Sequence, residues 1–148
     1  MKIEFTKEQF KELLKVVCLG NWMANAFHDG SKEDPMDKKI EKIEDYIFSF
    51  AKEAGFSEYV DYDAEFKRYF PTNEMDELCQ TYIEDYDEEC FWDELFHRMA
   101  DRDFDRAYSF EEISKMEMKE RFEKEEPFNK KWGDELYEHG IERLEVKN

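Results

Sequence analysis

The chain has 148 residues and a net charge of −18, with 42% of its residues charged and 17% aromatic. Its 14 Phe, 8 Tyr and 3 Trp set it apart from a disordered acidic tail. Its charge disfavours phosphate-rich partners, both nucleic acid and anionic membrane surfaces. Only 5 Gly and 3 Pro interrupt it, which predicts an all-α class, a single helical bundle of about five to six helices over residues 1–148.

The opening "MKIEFTKEQF" has no apolar run of the signal-peptide kind. The most apolar stretch, "VVCLGNWMANAF" at 16–27, is too short and too polar to cross a bilayer. Cys18, Cys79 and Cys90 form no C-x-x-C pair and are odd in number. They read as reduced thiols, so a cytoplasmic protein is expected.

In chain order, Thr6 and Gln9 form a capping box, and a first helix is predicted from there to about His28, with Gly30 to stop it. Asp34 as N-cap and Pro35 at the first helical position open a second helix. Its apolar stripe is Met36, Ile40, Ile43, Ile47 and Phe50, and Gly55 ends it. Segment 56–70 reads as a short helix around 63–69, although its β-formers leave a strand open. Thr72 starts an acidic helical region, two helices or one kinked helix over about 73–85 and 87–105. Ser109 and Glu112 make a second capping box for a helix to about residue 124. Pro127 is expected to break it, before a last helix over 128–139 that Gly140 closes. The tail "IERLEVKN" reads as a fraying turn or a short strand.

Charge is unevenly spread. Residues 71–108 hold 13 acids against 3 bases, a net of −10, while each flanking part carries −4. Within this part, "CFWDELFHRMADRDF" (90–104) places Trp92, Leu95, Phe96 and Met99 on one helical stripe. Cys90, Glu94, His97 and Asp101 fall on the outer face. Glu94-x-x-His97 matches one ligand pair of di-iron carboxylate bundles, but those need a second copy and two further glutamates, all pointing inward. A solvated face is the better reading, and neither metal nor cofactor is expected.

The first helix carries the other candidate. Phe10, Leu13, Leu14, Val17 and Ala24 form its buried stripe, and Asn21, Asn25 and His28 fall on or beside it. Cys18, Leu19, Trp22, Met23 and Phe27 make this half apolar nearly all round, as in a central buried helix. Buried amides and imidazoles need partners. The group is either a structural polar cluster or a pocket lined by Asn21, Trp22, Asn25 and His28. Gly-rich phosphate loop, G-x-S-x-G and H-E-x-x-H motifs are absent from the sequence. Cys18 and His28, about 15 Å apart along a helix, form no dyad.

Two stretches, "CLGNWMANAFHDG" (18–30) and "FWDELFHRMADRDF" (91–104), resemble segments of small acidic all-helical bacterial proteins of unknown function. That resemblance brings no activity and implies only a bacterial or phage-like cytoplasmic origin. The reading that follows is a non-enzymatic protein acting by protein–protein contact with a basic partner, as an inhibitor or nucleic-acid mimic. Its surface would be Glu84, Asp85, Asp87, Glu88, Glu89, Asp93, Glu94 and Asp101. The rival reading is a small-molecule-binding or metal-assisted helical enzyme centred on Asn21, Trp22, Asn25 and His28.

Overall fold

Residues 2–145 are described in a computed structural model. With 67% helix and one two-stranded sheet, the class is all-α. The chain divides into two units, Met1–Asp85 and Tyr86–Asn148.

In the first unit, the Thr6 hydroxyl accepts from the Gln9 N–H at 3.2 Å and the Gln9 side chain accepts from the Thr6 N–H at 2.9 Å. This closes the expected capping box ahead of α1, Lys7–Asn25. The helix stops three residues short of His28. Beyond it, Asp29 accepts from the Ser31 N–H at 2.7 Å, Asp34 accepts from the Asp29 N–H at 3.2 Å, and Gly30 adopts φ 76°. Such side-chain bonds compete with helix propagation. Asp34, occupied in this way, is not the next N-cap. That role falls to Asp37, whose carboxylate accepts from Lys39 N–H at 2.8 Å and opens α2, Lys38–Phe48.

The buried face of α2 differs from the predicted one. Ile43 and Phe50 are exposed, whereas Glu41, Glu44 and Phe48 are buried. The stripes 40/43/47 and 41/44/48 are one residue, or about 100°, apart. Arg68 and Asn21 supply partners for the second stripe, so the helix turns its glutamates inward. Of the residues expected to make the first helix apolar nearly all round, Met23 is exposed, and Phe27 is exposed beyond the end of α1.

The second helix, expected to run to Gly55, ends at Phe48 instead, and a separate short helix α3, Ala51–Ala54, stops at Gly55 with φ 87°. Segment 63–69 is not helical. Val60–Asp63 (β1) and Arg68–Pro71 (β2) pair antiparallel with Tyr62 opposite Tyr69. The Asp63 carboxylate accepts from the Glu65 and Phe66 N–H groups at 2.8 and 2.9 Å, holding the turn. Asp45 accepts from the Tyr69 N–H at 2.6 Å, which ties α2 to β2.

Thr72 caps the next helix through the Met75 N–H at 3.4 Å. This helix, α4, is continuous over Asn73–Ala107 rather than two pieces. Its start completes the core of the first unit. Leu14 and Cys18 of α1, Phe48 of α2, Ala51 of α3, Val60 of β1, and Met75 and Cys79 of α4 pack together. Leu14, Phe48 and Met75 are fully enclosed, each contributing about 1.5–3 kcal/mol of transfer free energy.

The second unit contains the remainder of α4, then α5, Phe110–Lys115, and α6, Met118–His139. Ser109 and Glu112 form the expected capping box. The break after it lies at Met116 and Glu117, both extended, and α6 runs unbroken through Pro127. Packing on both sides of the proline offsets its local cost. Lys124 lies over the Tyr108 ring, Phe128 meets Phe104 edge-on at 5.8 Å, and Trp132 is buried. Nothing in "KMEMKE" signals the break at 116–117. The tail turns at 141–143, and its last residues, 146–148, lie outside the described residues.

Candidate functional site

Buried charge in the first unit gathers where α1, α2, β2 and the start of α4 surround a cavity of about 480 Å³. Asn21 donates to Glu44 Oε2 at 2.7 Å and accepts from Asn25 Nδ2 at 2.7 Å. Asn25 in turn accepts from the Asp37 N–H at 2.6 Å, fixing the start of α2. From β2, Arg68 reaches Glu41 Oε1 at 2.5 Å and Glu44 Oε2 at 3.3 Å, while lying 4.7 Å over the Phe70 ring. Lys38 also binds Glu41, at 2.6 Å. The Arg68 Nε is buried and has no partner among the described residues.

These contacts treat the two glutamates differently. Burial opposes ionisation of Glu41, but the bonds from Lys38 and Arg68 outweigh it and hold the carboxyl below its ordinary range. At Glu44 burial dominates, and it pushes the carboxyl up to about 7 against Arg68 and Asn21. Burial also raises Asp76, which lines the same cavity. Cys18 and Cys79 face each other on its wall. Their shared hydrogen bond and burial raise the Cys18 thiol, and the same bond lowers Cys79.

The four pocket residues expected from the sequence do not stay together. Asn21 and Trp22 line the cavity. Asn25 is buried behind Asn21, with only 5% of its surface exposed. His28 is exposed and pairs with Asp34 at 2.6 Å in the loop, because α1 has already ended. The residues that complete the cavity, Glu41, Glu44, Arg68 and Asp76, were absent from the expected set. A larger recess of about 870 Å³ is walled by Phe5, Phe10, Tyr46 and Phe50, with Lys2, Thr6, Lys7 and Glu53 also on its lining.

The acidic candidates lie on α4 as expected and every one is exposed. Glu84 and Asp85 end the first unit, and Glu84 accepts from Gln80 at 3.0 Å. In the second unit, Glu88 accepts from the Trp92 Nε1 at 2.6 Å. Glu94 pairs with Arg98 at 2.8 Å and Asp93 with His97 at 3.5 Å. Asp87, Glu89 and Asp101 make no ion pair among the described residues. Trp92, Leu95, Phe96 and Met99 are half-buried on the opposite stripe.

No group of three or more His, Cys, Asp or Glu side chains among the described residues is arranged to hold a metal ion. Among the described residues no helix is long and apolar enough to cross a membrane. No family model, curated protein or solved structure matches the chain.

Proposed function

We infer that the protein works by protein–protein contact, presenting the acidic side of α4 to a basic partner. The observation carrying this reading is the exposure of Asp87, Glu88, Glu89, Asp93, Glu94 and Asp101 with, among the described residues, only two close basic partners, His97 and Arg98. Carboxylates at i and i+4, such as Glu89 and Asp93, are separated by about 6 Å of helical rise, near the phosphate spacing of a nucleic-acid strand. Occupation of a basic nucleic-acid channel is thus one use of the face. Exposed Tyr86 and Phe91 stand beside these charges and offer apolar anchors. A cytoplasmic, bacterial setting accords with the three free cysteines and with the resemblance in segments 18–30 and 91–104.

The test replaces Glu88, Glu89 and Glu94 by Gln and Asp93 by Asn in the full chain. Partners retained by the wild type at low salt should be lost from the variant, and should elute as salt rises. Recovery of the same partners by both proteins across the salt range would remove this face as the contact surface.

A further inference from the structure

Two thiols from different helices meet in the core of the first unit. We propose that Cys18 and Cys79 form a reversible disulfide with each other, made and broken by thiol–disulfide exchange with a small external disulfide or thiol.

Helical phase places the pair. Cys18 stands one turn after Leu14 on α1, and Cys79 stands one turn after Met75 on α4. All four side chains are buried in one cluster. A separate contact fixes the register between the two helices, since the Lys15 ammonium lies over the Tyr82 ring at 5.7 Å. Lys15 comes three residues before Cys18, whereas Tyr82 comes three residues after Cys79. The helices therefore cross antiparallel with Cys18 opposite Cys79, and the two thiols share a hydrogen bond. From that contact the sulfurs have to close to the disulfide length of about 2.05 Å. Cys90 is excluded by distance, being three turns, or about 16 Å, further along α4 than Cys79.

Burial does not seal the pair. Both thiols line the cavity of about 480 Å³, which has room for a small dialkyl disulfide. The hydrogen bond from Cys18 favours the thiolate of Cys79, so Cys79 is the attacking sulfur and Cys18 the resolving one.

The exchange balances in two steps. The Cys79 thiolate attacks one sulfur of RSSR, breaks its S–S bond and releases RS⁻, which leaves a mixed disulfide. Cys18 then gives up its proton and attacks the Cys79 sulfur, releasing the second RS⁻. The two cysteine sulfurs lose one electron each, RSSR gains both, and the two cysteine protons leave on two RSH. Excess external thiol runs the sequence backwards. The new bond ties α1 to α4 and closes a loop of about 60 residues that holds α2, α3 and the hairpin. Restricting that much unfolded chain makes the bond a clasp on the first unit.

The full-length protein is incubated without denaturant in bis(2-hydroxyethyl) disulfide, an uncharged probe. Free thiols are then blocked, and the digest is mapped by mass spectrometry without reduction. The expected product is a peptide pair joined through Cys18 and Cys79, which dithiothreitol separates. The linked protein should melt at least about 5 °C above the reduced one. Cys90→Ser should form the same link. Cys18 and Cys79 left as free thiols, or recovered only as mixed disulfides with the probe, would overturn the proposal. So would a bond from either one to Cys90 or to another chain, loss of the link in Cys90→Ser, or a linked protein that melts no higher. Wild-type protein alone decides the pairing, and no outcome depends on a partner at the acidic side of α4.

Discussion

Glu41 and Glu44 lie one helical turn apart on α2, both buried and both bonded to Arg68, yet their carboxyls are driven in opposite directions. Burial dominates at Glu44, while at Glu41 it is outweighed by bonds from two cations. Glu41 has Lys38 and the near nitrogen of Arg68, whereas Glu44 has only the far nitrogen. One arginine from a two-stranded hairpin thus creates an ionised carboxylate and an underserved one side by side.

A pH dependence of stability follows for Glu44. Its folded value, about 7, lies above the unfolded glutamate value of about 4.3. Above the unfolded value the unfolded chain releases a proton that the folded chain retains. Stability from this group is therefore full below that point and is lost as pH rises through the folded value. Glu44→Gln lacks this titration. Denaturant unfolding of both proteins at several pH values should show the wild type losing about 3–4 kcal/mol relative to the variant across this window. A constant difference across the window would show that Glu44 ionises normally.

Asp103 behaves in the opposite sense. It accepts from the Trp132 Nε1 at 2.9 Å and from Lys131 at 2.6 Å, and meets Arg102 at 2.9 Å. Burial works against the charge, but these donors prevail and hold the carboxyl at about 2. Its folded value is depressed below the unfolded one, near 3.9. The stabilisation is present above the unfolded value and is lost as pH falls toward the folded one. Asp103→Asn should cost about 1–2 kcal/mol near neutrality, with the difference from wild type shrinking below about pH 4. A difference that persisted unchanged in acid would assign the cost to packing rather than charge.

The elements most legible in the sequence were those written in local chemistry. Thr6 and Ser109 bond as their capping boxes specify, and Gly55 and Gly140 close helices at positive φ. Other features depend on tertiary partners. Nothing local tells α2 to bury Glu41 and Glu44 rather than Ile43, because that choice requires Arg68, 24 residues beyond Glu44 in the chain. Two runs of β-formers flanking "DAEFK" do encode the hairpin, and the Asp63 turn was the signal that separates it from a helix. At the site, Asn21 and Trp22 were found by helical phase. His28 was misplaced because that phase was extended past the Asx-bonded loop, and the carboxylates were missed because a buried glutamate looks like a solvated one in sequence.

Gly20 and Gly140 should respond oppositely to alanine. Gly20 lies within α1, and a methyl group there meets nothing within 4 Å. Gly20→Ala should therefore stabilise by roughly 0.5–1 kcal/mol through reduced unfolded-state freedom. At Gly140, φ is 56° and ψ is −131°, a conformation that L side chains resist, and a Cβ would come 3.4 Å from the Trp92 ring. Gly140→Ala should cost about 1–3 kcal/mol. Thermal melts of the two variants decide the matter, and shifts of the same sign would contradict it.

Pro127 provides a test of how far packing, rather than local preference, maintains α6. The residue is exposed and stands inside a helix of 22 residues. It offers no N–H to the carbonyl one turn earlier, the bond an ordinary residue would make to Glu123. On either side, Lys124 rests on Tyr108 at 5.0 Å and Phe128 contacts Phe104. If these contacts fix the helix against the proline, Pro127→Ala should keep them and restore the missing bond. The expected gain is about 1–3 kcal/mol in chemical unfolding, with amide exchange slowed at residues 124–131. A loss of stability on removing the proline would instead mean that its ring makes a contact the helix depends on.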